Sequence, residues 1–117
     1  MLFPIFPKKL DYLYLFGYYF TMYKSFKTEL FSNWLHALKD IKGRVAIARR
    51  INRAENGAFG DVEPIGEGVF EMKIDIGPGY RTYYILRNGN LIILLCGGDK
   101  SSQKRDIAKA KEMAKEY

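Results

Sequence analysis

The sequence predicts an α+β fold in which two N-terminal helices pack on a twisted antiparallel sheet and a further helix follows at the C-terminus. Three observations predict it. The chain has 117 residues, 48% hydrophobic and 27% charged, enough for one core and too few for two ordinary domains. Apolar residues recur at three- and four-residue intervals in the first half and at every second position from Val62 on, which is the change from helical to strand periodicity. Gly77-Pro78-Gly79 and Asn88-Gly89 then divide the second half as hairpin turns do.

Taken in order, the aromatic stretch around Tyr18 to Phe26 supplies a first strand. Thr28 is placed to cap a helix, with Glu29 where the helix dipole favours a negative charge. Leu30, Phe31, Trp34, Leu35 and Leu38 form its apolar stripe, and Lys42-Gly43 is expected to end it. A second helix, from about Arg44 to Glu55, puts Ile47, Ala48 and Ile51 on one side. Arg49, Arg50 and Arg53 are expected on the opposite arc, facing solvent or a partner. Asn56-Gly57 stops it, leaving an antiparallel helix pair.

In Val69 to Ile76 the even positions are apolar and the odd ones mostly charged, so Glu71, Lys73 and Asp75 share an open face. Tyr80 to Leu86 returns as the next strand, and an even register opposing Asp75 to Arg81 adds Arg81 to that row. The unbroken apolar run Leu91 to Cys96 predicts the most buried strand of an antiparallel meander. The chain ends in a helix capped by Ser101 or Ser102, its stripe made of Ile107, Ala110 and Ala114.

Nineteen Lys and Arg against thirteen Asp and Glu leave +6, which favours an anionic partner, either nucleic acid or an acidic protein. One cysteine, Cys96, and one histidine, His36, exclude an internal disulfide and make a metal centre improbable; no cofactor is expected. Cys96 reads as a buried thiol and His36 as a structural residue. Nine of the eighteen aromatic residues fall within the first 23 positions. That apolar run is shorter than the roughly 20 residues needed to span a bilayer, and no signal-peptide cleavage pattern follows it. Residues 1–21 read either as an aromatic extension that packs on the domain or, the reading preferred, as the product of a start codon placed too early, with Met22 as initiator. Residues 22–117 form the domain and keep +5 of the charge.

The strings Phe59-Gly60-Asp61-Val62, Gly66-Glu67-Gly68-Val69-Phe70-Glu71-Met72-Lys73-Ile74, Gly79-Tyr80-Arg81-Thr82-Tyr83-Tyr84 and Gly97-Gly98-Asp99-Lys100-Ser101-Ser102-Gln103 stand in an order that resembles the addiction-module killer proteins. These are HigB-like toxins of the RelE/ParE superfamily, and the resemblance runs from about Met22 to Tyr117. It implies a RelE/ParE-like fold and a cytoplasmic type II toxin. Such a toxin is held by a HigA-like helix-turn-helix antitoxin, meets operator DNA only through that antitoxin, and cuts messenger RNA on the ribosome, with no membrane partner. ParE-like relatives inhibit DNA gyrase on the same scaffold, and an inactive prophage-derived protein that only binds antitoxin is a further alternative.

Metal-free RNA cleavage uses the ribose 2′-hydroxyl as nucleophile and needs groups that hold the phosphate and move protons. Arg81 is the first candidate: its planar fork can grip two phosphate oxygens, and the resemblance supports the same position. The plain alternative is a cross-strand pair with Asp75 or Glu71. Glu71 is the candidate base, although neighbouring cations weaken a carboxylate as a base, and orienting Arg81 is its other role. Lys73 and Lys100 complete the catalytic set. Ser101 and Gln103, with Lys100, suit a phosphate cradle at a helix start, and Lys104 adds a contact one turn on. Tyr83 can stack on a base if it is exposed, and Arg49, Arg50 and Arg53 suit RNA or an acidic antitoxin segment. Some relatives carry a histidine or tyrosine where this chain has Leu94-Leu95-Cys96, which leaves the general acid open.

Overall fold

The computed structural model describes residues 22–117; the aromatic extension and the part of the expected first strand before Met22 lie outside the described residues. Strand β1 (Lys24–Lys27) is followed by helices α1 (Glu29–Ala37) and α2 (Ile41–Glu55). Strands β2 (Val62–Gly66), β3 (Val69–Ile74), β4 (Tyr80–Arg87) and β5 (Leu91–Asp99) come next. A short 3-10 turn, Lys100–Ser102, then leads into α3 (Gln103–Ala114). The protein is an α+β domain with one five-stranded sheet in the order β1-β5-β4-β3-β2.

The four later strands form the expected antiparallel meander, but β1 pairs parallel to β5, so the sheet is mixed. The reason is topological: two helices separate β1 from the meander, and a chain that crosses a sheet face between strands can join its far edge in parallel.

Thr28 caps α1 through a 3.0 Å bond to the Phe31 amide and also donates to the Leu95 carbonyl at 2.7 Å, tying the helix start to β5. The expected stop at Lys42-Gly43 is corrected. Helix α1 ends at Ala37, and Asp40 caps α2 by accepting from the Gly43 amide at 3.0 Å, so both residues lie in the first turn of α2. Gly43 is required there by a close approach: a Cβ would stand 2.5 Å from the Tyr80 ring and 2.7 Å from Asp40 Oδ2. Tyr80 in turn donates to Asp40 at 2.8 Å, fastening the α1–α2 junction to β4.

Two cores lie on the two faces of the sheet. On one, Phe31 of α1 and Ile47, Ile51 and Ala54 of α2 cover Met72, Ile74, Tyr80, Tyr84, Ile92 and Leu94. On the other, Ala110 and Ala114 of α3 cover Val69, Tyr83, Ile85, Ile93, Leu95 and Cys96. Leu95 and Cys96 are neighbours in sequence yet share a face because the β4–β5 register shifts between Tyr83 and Tyr84, which pair with Cys96 and Leu94. The bulge at Leu95 moves one residue out of the ladder and reverses the facing of everything after it. The face that the alternation of β3 marked as open is therefore covered by α3 along much of its length. Cys96 is buried there as expected, and burial pushes its thiol up to about 12.

Candidate functional site

Strands β3 and β4 oppose Glu71 to Tyr83 and Lys73 to Arg81, and side chains of one parity point to one face, so all four project toward α3. The expected pairing of Asp75 with Arg81 is corrected: β3 ends at Ile74, which pairs with Tyr80, and Lys73 stands opposite Arg81. Two cations directly across a ladder repel each other, and each is held by its own carboxylate.

For Arg81 that carboxylate is Glu71. It is 1% exposed, and its Oε2 accepts from the Tyr83 hydroxyl at 3.0 Å and from Gln103 Nε2, on the first turn of α3, at 2.8 Å. Arg81 Nε lies 3.6 Å from the same oxygen, an ion pair beyond hydrogen-bond length. The Arg81 side chain is 12% exposed; one Nη donates to the Gly79 carbonyl at 3.0 Å, and Nε is buried without a hydrogen-bond partner. Burial, then the bond to Glu71, drives the Tyr83 phenol far above its ordinary pKa, so it stays a proton donor to that carboxylate. Lys73 is held instead by Glu63 on β2 at 3.5 Å, a pair at the surface.

Lys100 is exposed just after β5. A Cβ on Gly79 would meet Arg81 Nη1 at 3.4 Å and Lys100 Cβ at 3.7 Å, so Arg81 and Lys100 flank one glycine. Lys73, Arg81 and Lys100 thus gather at one end of the sheet above a buried carboxylate. Lys104 is exposed at the second residue of α3.

The cradle expected at the start of α3 is already filled from within. Asp99 accepts from the Ser101 amide at 2.8 Å and the Ser101 hydroxyl at 2.5 Å, and the Ser102 hydroxyl donates to Asp106 at 2.5 Å. The Ser101 hydroxyl bond, with the amides of Ser101 and Ser102, holds the Asp99 carboxyl below its usual range despite partial burial. A carboxylate in the position an anion would take leaves Ser101 no free donor for phosphate. Gln103 is spent on Glu71 and is a positioning residue in this arrangement.

Two further expectations change for reasons of packing. Tyr83 is 0% exposed and offers no ring face to a base. Glu71 is too deeply buried to touch a ribose in this conformation, so its geometry suits orienting Arg81 rather than taking a proton from substrate. Arg50 is also corrected. It donates to the Lys73 carbonyl, to Phe59 O at 2.9 Å and to Asp61 O at 3.4 Å, tying α2 to β3 and to the loop before β2. At 100° per residue Arg50 falls about 40° from the buried Ala54, which the spacing alone could have revealed. Arg49 and Arg53 are exposed on the outer side of α2, as expected, and His36 is exposed on α1.

Sequence reasoning missed Asp40 and Asp106 as anchors and Gln103 as a partner of Glu71. Contacts across 32 residues leave no periodic trace.

Among the described residues, no group of three or more His, Cys, Asp or Glu could hold a metal ion, and no helix is long and apolar enough to cross a membrane. Fold and site together define a small α+β protein with a cluster of cations seated on a buried acid. Residues 33–116 match the family described as phage-derived protein Gp49-like (DUF891), and the protein belongs to that family. A protein of Haemophilus influenzae (strain ATCC 51907 / DSM 11121 / KW20 / Rd), named only as an uncharacterized protein, is 50% identical over 91 residues, 77% of this chain and 92% of its own. No solved structure matches the chain.

Proposed function

We propose that the protein is the toxin of a type II toxin–antitoxin pair, a HigB-like member of the RelE/ParE superfamily that cleaves messenger RNA on the ribosome. The observation that carries this reading is the Arg81 guanidinium, seated on Glu71 and flanked by Lys73 and Lys100. Membership of the phage-derived family and the four sequence strings support it.

In this mechanism the 2′-hydroxyl of the ribose gives its proton to solvent water, attacks the adjacent phosphorus and forms a cyclic phosphate while the 5′-oxygen leaves. Arg81 holds the non-bridging oxygens as negative charge builds on them, a role that suits a planar donor fixed before the substrate arrives. Glu71, with Tyr83 and Gln103, fixes the guanidinium in place. Lys73 and Lys100 add positive charge, and either ammonium group can give its proton to the leaving oxygen. No step requires a metal or cofactor. The toxin works in the cytoplasm and is held inactive by a HigA-like helix-turn-helix antitoxin.

Primer extension on RNA from cells making the protein is expected to show cuts within reading frames; growth arrest with intact transcripts would reject the reading. One observation favours a second. With Tyr83 buried, no histidine or exposed tyrosine among the described residues accompanies the cations, so a site that binds without cutting has equal chemical footing. A ParE-like inhibitor of gyrase would produce DNA damage with messages uncut.

A further inference from the structure

Among the described residues the Arg81 guanidinium makes one direct hydrogen bond, and it goes to the turn before β4. Its Nη1 donates to the Gly79 carbonyl at 3.0 Å, whereas Nε stands 3.6 Å from Glu71 Oε2. That turn, Gly77-Pro78-Gly79, closes with a 3.0 Å bond from the Gly79 amide to the Ile76 carbonyl, and both of its glycines have positive φ, 56° and 79°. Glycine leaves a backbone free to adopt many conformations, so this carbonyl fixes a guanidinium only as well as the turn is itself fixed. What fixes it comes from the opposite face of the sheet. Tyr80 and Arg81 are consecutive in β4, and Tyr80 points into the core under α1 and α2. Its hydroxyl donates to Asp40 Oδ2 at 2.8 Å, while Asp40 Oδ1 accepts from the Gly43 amide at the start of α2. A Cβ on Gly77 would stand 3.3 Å from Asp40 Oδ2 and 3.7 Å from Tyr80 Cε2, so the bare side of Gly77 rests against that bonded pair. Ile76 packs into the same core. Burial, then the bond to Asp40, pushes the Tyr80 phenol up to about 12, and it stays the donor.

We infer that Asp40 and Tyr80 are positioning residues for Arg81: their bond, on the face away from the cations, clamps the turn so that the Gly79 carbonyl keeps the guanidinium aimed at phosphate. Its consequence for rate rests on the RNA-cleavage reading; the coupling of the bond to the guanidinium does not. Neither residue touches substrate. Loss of the bond leaves the charges of Lys73, Arg81 and Lys100 in place, so binding of RNA is retained. What suffers is the alignment of Arg81 with the charge that builds in the transition state, and a misplacement of about 1 Å far from the chemistry can cost about a hundredfold. Asp40 therefore has two tasks through its two oxygens: one starts a helix, and the other reaches through Tyr80 and Gly77 to the far side of the sheet.

The test compares the full-length wild type with Tyr80→Phe and with Asp40→Ser, which keeps a cap on α2 but has no second oxygen for Tyr80. Ile51→Ala, in the same core but away from the turn, controls for lost stability. Two readouts are taken. The first is rotation of the Arg81 guanidinium, followed by nuclear magnetic resonance of its nitrogen-bound protons and assigned by their absence from Arg81→Ala. The second is single-turnover cutting of messenger RNA on ribosomes over a range of protein concentrations, which separates the maximal rate from the half-saturating concentration. In Tyr80→Phe and Asp40→Ser the rotation should quicken about fivefold and the maximal rate fall about tenfold, with the half-saturating concentration unchanged. The double variant should lose no more than either single one, because the two substitutions remove the same bond. Folded Ile51→Ala should match the wild type in both readouts. Unaltered guanidinium rotation in both variants, the same change in Ile51→Ala, or a loss confined to the half-saturating concentration would each overturn the inference. A wild type that cuts nothing would instead reject the RNA-cleavage reading, and guanidinium rotation would then decide the coupling by itself.

Discussion

The two faces of the sheet are built from the same strands and used differently. The face beneath α1 and α2 is apolar from Phe31 through Met72 to Tyr84, and its polar anchors, Thr28 and the Asp40–Tyr80 bond, lie at helix starts. The face beneath α3 is apolar only at one end, around Ile85, Ile93 and Leu95. At the other it buries Glu71 with three donors turned toward one oxygen. Burying a carboxylate beside an arginine contributes little net stability compared with apolar packing, because desolvation offsets the attraction. One face therefore holds the fold together, and the other spends part of its interior on holding Arg81.

The comparison breaks most visibly at Phe31. Phe31→Ala empties a fully buried site, and denaturant unfolding should show a loss of about 3–5 kcal/mol, while RNA cleavage per folded molecule stays unchanged. Removing a donor from the other face should do the reverse. Tyr83→Phe deletes one hydrogen bond to a buried carboxylate, worth about 1.5–3 kcal/mol, and loosens the seat of Arg81. Cleavage should fall tenfold or more in the folded variant, with intact substrate affinity distinguishing misaligned chemistry from lost binding. Arg50→Met should cost about 1–3 kcal/mol through unpaired carbonyls at Lys73 and Phe59 and leave cleavage per folded molecule unaltered, in keeping with its role as a tie between α2 and β3.

The smallest effect is on pH. The Gly43 amide and the Tyr80 hydroxyl hold the Asp40 carboxyl below its usual pKa. A group depressed in the folded state contributes stability that is complete above its unfolded pKa, near about 3.9, and is lost as pH falls through the folded value. Asp40→Asn should remove that contribution near neutrality and flatten the acid limb, so that variant and wild type converge below about pH 4. A profile with an unaltered acid limb would show that Asp40 is not linked to folding.

Much of the fold was legible because periodicity records which face is buried. Phe31, Ile47 and Met72 announce the α1/α2 core by spacing alone, and Thr28 announces the start of α1. The run Leu91 to Cys96 hides its bulge because both faces of β5 are covered, so no polar residue marks where the facing reverses. The end of α1 was misplaced because Gly43 looked like a stop, whereas its missing side chain makes room for Tyr80. In the site, the parity of Glu71, Lys73 and Arg81 could be read from the strands, but their exposure could not. Whether α3 lies over Glu71, and whether Asp99 or a ligand fills the start of that helix, depends on contacts between segments far apart in sequence. Arg50 was readable and misread, since an arginine beside Ile47 and Ala54 on the helical wheel belongs to the buried edge.

The central claim is that Arg81, held by the buried Glu71, makes the cation cluster act on RNA. Primer extension with wild type and Arg81→Ala produced at equal levels, each shown by circular dichroism to be folded, tests it most directly. The account predicts cuts within reading frames for the wild type and a loss of at least a hundredfold for the variant. Cleavage by Arg81→Ala at the wild-type rate would contradict it.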